Sequence, residues 1–148
     1  MNAPARIVSV ARSVARGPDA RTSVLITGFG PFPGVPVNAT MQLVPALAAG
    51  AARAFAGVRI ATAILATEWA AAPRTLDGLL AEVRPDLVLH FGVSSRARGF
   101  EVESRAANAC TQSPDAAGLL PPGERLRVDG AEHVKVSLPV QHVVARLR

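Results

Sequence analysis

The sequence predicts an α/β fold, a three-layer α/β/α sandwich around a mostly parallel mixed sheet that is incomplete at its C-terminal end. Three observations predict it. Short apolar runs at Val24–Ile26, Val58–Leu65 and Asp86–Phe91 have strand length, and two stretches of helical periodicity separate them. Strand, helix, strand, helix, strand demands right-handed crossovers and therefore parallel pairing. The last helical segment, from Pro139, is still repeating its apolar residues Val140, Val143, Val144 and Leu147 when the sequence stops at Arg148, with no cap.

Bulk properties narrow the reading further. A chain of 148 residues with 49% hydrophobic content supports one domain with a real core. Residues 1–22 carry Arg6, Arg12, Arg16 and Arg21 against the single acid Asp19 and are expected to be a basic, disordered extension, leaving residues 23–148 as the α/β domain. Cys110 is the only cysteine, which excludes an internal disulfide and a multi-cysteine metal site and fits a reducing compartment, so a cytoplasmic protein is expected. The net charge is +5 and the pI near 11.2, yet Lys135 is the only lysine among 16 basic residues, and the arginines are scattered. Without a basic helix or aromatic residues set among basic ones, nucleic-acid binding is not expected. No segment reaches membrane-spanning length. No metal or other cofactor is expected.

Along the chain, the first apolar run breaks abruptly into Gly28-Phe29-Gly30-Pro31-Phe32-Pro33-Gly34-Val35-Pro36-Val37-Asn38, a stretch that cannot be regular structure. Its glycines permit a turn or a close approach, and its prolines stiffen the loop. A rigid loop carrying Phe29 and Phe32 at a strand end reads as a candidate binding site, or as two rings filling the core beneath a loop. The spacing Gly-x-Gly-x-x-x-Gly, with prolines where a helix should begin, is wrong for a dinucleotide fingerprint or a P-loop.

Asn38 is a good cap for a helix from Ala39 to about Ala56, in which Pro45 implies a kink or a later start near residue 44. Val58–Leu65 is the second strand. Leu76, Leu79, Leu80 and Val83 mark a helix beginning near Pro73 and stopping at Arg84-Pro85. Asp86–Gly92 is the most strand-like run, and Phe100–Ser104 reads as an antiparallel addition. Residues 108–133 are rich in turn signals, including Asp129-Gly130, before a short strand at Val134–Leu138.

Three of these segments resemble the pyroglutamyl peptidase I family of cysteine peptidases. Ile26–Gly34 followed by Asn38-Ala39-Thr40 is similar to the family's V-T-G-F-x-P-F-x-G and N-x-T. Pro85-Asp86 through His90-Phe91-Gly92 is similar to its P-D-x-x-x-H-x-G, and Glu103 to Asn108 to its Glu-x-x-Ala-x-Asn. The resemblance covers about residues 23–142 and the first part of the family's fold. It implies that Phe29 and Phe32 sandwich the flat lactam of an N-terminal pyroglutamate, that Asn38 lies near that pocket, and that Glu103 is the carboxylate of a Cys-His-Glu triad. In such a triad the carboxylate holds the imidazole in the tautomer that takes the thiol proton. The family does not use the histidine matched by His90 as its base.

The same resemblance puts the nucleophilic cysteine after the helix that begins near Pro139, and the catalytic histidine later still. Cys110, only seven residues after Glu103, lies in another segment, and His133 and His142 precede that point. At Trp69-Ala70-Ala71 many relatives carry a glutamine used for the lactam, which leaves the substrate preference open. The chain is therefore expected to be an inactive, truncated relative of a peptidase that removes pyroglutamate from peptide N-termini, or a non-catalytic module that binds pyroglutamyl peptides. An unfinished sheet would expose a strand edge and an apolar patch, making the chain unstable or dependent on a partner; homo-oligomerisation is left open.

Overall fold

The computed structural model describes residues 5–11 and 21–147. The main sheet has five strands in the order β3-β2-β4-β1-β5, with β1 at Ala5–Ala11, β2 at Ser23–Phe29, β3 at Arg59–Leu65, β4 at Leu87–Val93 and β5 at Glu101–Val102. β2 pairs in parallel with both β3 and β4. Helix α1 (Thr40–Ala54) connects β2 to β3, and α2 (Ala71–Val83) returns across β2 to β4. These two connections run in opposite directions across the sheet, so right-handedness places α1 and α2 on opposite faces. The three layers follow from that reversal.

β2 is buried on both faces, with Leu25, Ile26 and Thr27 all nearly inaccessible, as a central parallel strand requires. Ile26, Val44 and Phe91 form the core beneath α1, and Val24, Leu43, Leu47, Ala48, Ile60 and Leu89 pack around them. Helix α1 runs unbroken through Pro45 rather than starting near residue 44. Its first turn is fixed from outside, where Thr40 N–H donates to Asn38 Oδ1 at 3.1 Å and Met41 N–H to the Asn38 carbonyl at 3.0 Å. Asn38 thus caps the helix from one position before the nominal cap residue, Ala39. Helix α2 ends at Arg84, whose N–H still donates to the Leu80 carbonyl at 3.1 Å while its left-handed backbone (φ 47°) turns the chain out of the helix ahead of Pro85.

Residues 5–11 depart from the extension expected over residues 1–22. They form strand β1, antiparallel to β4 from Ala5 opposite Val93 to Ala11 opposite Leu87, and parallel to β5. Ile7, Val8 and Val10 are β-branched, and the free hydrogen-bonding side of β4 supplies the ladder that makes them a strand. β1 therefore covers the second edge of β4. Residues 1–4 and 12–20 of the expected extension lie outside the described residues.

A second sheet joins β6 (Arg105–Ala107) to β7 (His133–Lys135). The strand expected over Phe100–Ser104 is thus split, because the chain bends at Glu103 and Ser104 between the two sheets. Helix α3 (Val140–Leu147) packs near β5, and an apolar groove of about 540 Å³ lies between α1, β4 and α3, lined among others by Leu47, Phe91, Val102 and Val143. Among the described residues no helix is long and apolar enough to cross a membrane.

Candidate functional site

In an open α/β sheet, ligands collect outside the carboxyl ends of the strands where connections diverge to opposite faces. Here that place lies beyond β2 and β4, and the loop that leaves β2 is Gly30–Asn38. Its conformation is held at three points. The first is Gly30, whose N–H donates to the Leu65 carbonyl at 2.8 Å, while its carbonyl accepts from Asn38 Nδ2 at 3.0 Å and from Thr67 Oγ1 at 2.9 Å. The second is a tight turn over Phe32-Pro33-Gly34-Val35. Val35 N–H donates to the Phe32 carbonyl at 2.8 Å and Phe32 N–H to the Val35 carbonyl at 3.2 Å. Pro33 presets one central dihedral and Gly34, at φ 82°, supplies the other, as in a type II turn.

The third point is Thr40, in the first turn of α1. Its Oγ1 accepts from Phe29 N–H at 2.9 Å and lies within hydrogen-bonding distance of both the Phe29 carbonyl (3.0 Å) and Asn38 Oδ1 (2.8 Å). One hydroxyl proton serves one of these acceptors at a time. The approach of α1 to β2 that makes this possible needs Gly28, where a Cβ would fall 2.8 Å from Thr40 Cβ and Oγ1 and 3.0 Å from Val44 Cγ2.

The loop carries Phe29 and Phe32, both half-buried. Asn38 is different. It is fully buried; its Oδ1 faces Thr40 N–H and Oγ1, and its Nδ2 donates to Gly30. Its amide is therefore spent on the loop's own shape.

Behind the loop stands a feature that the sequence reading left as turn signals. Asp115, 7% exposed, accepts at Oδ1 from Ala117 N–H and Leu119 N–H, both at 2.9 Å, and at Oδ2 from Trp69 N–H at 3.0 Å. Burial pushes its carboxyl up, but the N–H groups of Leu119, Trp69 and Ala117 outweigh that and hold it below the usual carboxylate range. Ala116 N–H donates to the Thr67 carbonyl at 2.9 Å, and Trp69 Nε1 donates to the Ser113 carbonyl at 3.0 Å. Asp115-Ala-Ala-Gly118 is itself an Asx-turn signature, so half of this feature was readable from sequence. The Trp69 half, 46 positions away, was not.

His90 sits on β4 directly opposite Thr27 of β2, and its Nδ1 shares a hydrogen bond with Thr27 Oγ1. Burial holds the imidazole below its ordinary value. The unfolded chain therefore takes up the proton more readily, so this group's stability contribution is complete above the ordinary histidine range and lost as pH falls through it. The urea midpoint should drop between about pH 7.5 and 5.5, and His90→Asn should flatten that slope. An unchanged slope would assign the pH dependence elsewhere.

Glu103, half-buried, lies in the bend after β5. Three strand spacings, on the order of 14 Å, separate β5 from β2, with β4 and β1 between them. The structure therefore brings Phe29, Phe32 and Asn38 together in one loop and sets Glu103 across the sheet. Cys110 belongs to a further loop, where its N–H donates to the Glu124 carbonyl at 2.8 Å. His133 is exposed on β7 and His142 exposed on α3. Asn108, last residue of the third motif, pins the turn at Arg127–Gly130, with Nδ2 on the Arg127 carbonyl at 2.7 Å and Oδ1 accepting Arg127 N–H at 3.0 Å. Among the described residues no group of three or more His, Cys, Asp or Glu side chains is arranged to hold a metal ion.

Residues 22–148 match the family model described as pyroglutamyl peptidase. A pyrrolidone-carboxylate peptidase of Streptomyces coelicolor is 37% identical over 131 residues, covering 86% of this chain and 58% of the relative. A pyrrolidone-carboxylate peptidase of Ralstonia nicotianae is 32% identical, over 85% of this chain and 58% of its own. Among solved structures, the pyrrolidone carboxyl peptidase of Thermococcus litoralis superposes with a TM-score of 0.65 at 26% identity, over 86% of this chain and 57% of that one. Pyroglutamyl peptidase I of Bacillus amyloliquefaciens gives a TM-score of 0.65 at 22% identity, over 85% and 60%. The chain spans about three fifths of the length of the relatives it matches.

Proposed function

The chain belongs to the pyroglutamyl peptidase family, and on that premise we propose that it carries the recognition wall of a site for N-terminal pyroglutamate, with Phe29 and Phe32 flanking the lactam. A five-membered lactam has two apolar faces and one amide edge, which suits a rigid aromatic loop backed by main-chain hydrogen-bonding groups. The observation that carries the reading is the loop itself, an aromatic segment fixed at Gly30, at the Pro33-Gly34 turn and at Thr40. Asn38 acts by shaping that loop.

The family's reaction is removal of pyroglutamate from peptides, through thiolate attack and an acyl-enzyme. In that reaction Glu103 would be the carboxylate that orients the imidazole. We infer that the 148-residue polypeptide by itself binds and does not hydrolyse. Its one cysteine is tied into the loop that meets Glu124, and Glu103 stands across the sheet from the aromatic wall. The tie of that lone cysteine to the Glu124 loop favours the second reading, a non-catalytic module that binds pyroglutamyl peptides. A cytoplasmic setting fits the lone cysteine.

Titration calorimetry with L-pyroglutamyl-alanine tests the recognition claim. Binding should be measurable, and Phe32→Ala should weaken it by at least about tenfold, the loss expected when one aromatic face is removed from a small ligand. Absence of heat, or indifference to Phe32→Ala, would sink the reading. Release of chromophore from a pyroglutamyl anilide by this polypeptide alone would refute the non-hydrolysing part.

A further inference from the structure

We infer that Asp115 is a positioning residue for the aromatic loop, holding it from behind through the Thr67–Trp69 turn. The inference rests on the recognition reading for its ligand, and on hydrogen bonds for its mechanism. Gly30 is where the loop leaves β2, and its carbonyl has two side-chain donors, Asn38 from within the loop and Thr67 from outside it. Thr67 lies just beyond β3, in a turn gripped twice by the segment around Asp115. Ala116 N–H holds the Thr67 carbonyl, and Asp115 Oδ2 holds Trp69 N–H. The indole adds a third contact, Nε1 to Ser113.

The carboxylate is built for this division of labour. Oδ1 organises its own turn through Ala117 and Leu119, and Gly118 N–H returns to the Asp115 carbonyl at 3.0 Å, with Gly118 at φ 78°. Oδ2 is the long-range contact. A buried carboxylate with both oxygens accepting N–H groups has a fixed orientation, so the Thr67–Trp69 turn is held by an anchor that cannot rotate away.

This geometry predicts what a conservative change does. In Asp115→Asn the amide oxygen can keep Ala117 and Leu119, but the amide nitrogen then points a donor at the Trp69 N–H donor. The local turn survives and the long-range contact is lost. Hydrogen exchange on the full chain should show the amides of Gly30 and Trp69 exchanging about tenfold faster or more in Asp115→Asn, with Ala117 and Leu119 still protected. Trp69, the only tryptophan in the chain, should shift its emission to the red.

Calorimetry with L-pyroglutamyl-alanine should show a roughly tenfold weaker Kd for Asp115→Asn, as the loss of one ordinary hydrogen bond gives. Thr67→Val, which breaks the next link, should weaken binding similarly. The double variant should fall well short of the product of the two losses, a non-additivity that a merely stabilising role at a distance would not produce. Unchanged Gly30 exchange in Asp115→Asn overturns the inference even if no ligand binds the unaltered chain, an outcome that by itself defeats only the recognition reading. Full additivity, or an unchanged Kd in a chain that does bind, overturns it as well.

Discussion

Alanine in place of Gly28 should destabilise the fold by about 1–3 kcal/mol, toward the upper end of what one added methyl does in a packed interior. The new Cβ would meet Thr40 Cβ and Oγ1 at 2.8 Å and Val44 Cγ2 at 3.0 Å, and none of these can move aside cheaply. Val44 is 1% exposed in the core between β2 and β4, and Thr40 is tied to Phe29 and Asn38. Relief requires α1 to back away from β2, which also loosens Phe29. Against a total stability of about 5–15 kcal/mol, such a loss is large. Gly50→Ala is the matched control, because it lies inside α1 with open space around its missing Cβ. There the same methyl should stabilise by about 0.5–1 kcal/mol through helix propensity. Urea unfolding at neutral pH reads both. A Gly28→Ala midpoint equal to that of the unaltered chain would mean that the close approach of α1 is not needed.

Local chemistry made much of this fold legible. β3 and β4 fall within a residue or two of their apolar runs, and β2 continues through Gly28 and Phe29 because β3 pairs with it that far. The central β2 is buried on both faces and apolar for that reason, whereas β3 is an edge strand that leaves Ile64 exposed. The opposing crossovers, and so the layers, follow from element order alone. What escaped was settled by distant partners. Pro45 argues against a continuous α1, yet burial of Val44, the packing of Leu47 against the core and the anchoring of Thr40 outweigh the local preference. Ile7, Val8 and Val10 look like part of a basic tail until β4 offers a free edge some 80 positions along the chain. The candidate site divides the same way. The Phe29–Phe32 loop could be read from composition and the capping side of Asn38 from its place before a helix, whereas the grip of Asp115 on Trp69, and the bond from Asn38 Nδ2 to the Gly30 carbonyl, depend on contacts that no local pattern encodes.

Asn38→Ala should have the second large effect, about 2–4 kcal/mol, from a stranded buried donor together with the cavity left by a fully buried side chain. Thr40 N–H loses its acceptor, whereas the Gly30 carbonyl keeps Thr67 Oγ1, so the damage falls on the start of α1 more than on the loop's exit from β2. Asn38→Asp separates the two halves of the amide. It retains an oxygen for Thr40 N–H, but its second oxygen would face the Gly30 carbonyl, acceptor against acceptor, at a fully buried position. The carboxyl must then keep its proton to donate there, so its folded-state pKa would be raised above the unfolded value. The unfolded chain releases that proton more readily, and the variant's deficit should therefore be largest near neutral pH and shrink as pH falls toward the ordinary carboxylate range. Urea midpoints for the unaltered chain and Asn38→Asp, taken from about pH 7 to pH 4.5, should converge as pH falls. Parallel curves would place the new oxygen in solvent and contradict the buried geometry of Asn38. The same pair of variants separates shaping from contact. If Asn38 acts by holding the loop, Asn38→Ala speeds amide exchange at Gly30 and Thr40 in proportion to the affinity it loses, whereas a direct contact to the lactam would cost affinity with those amides still protected.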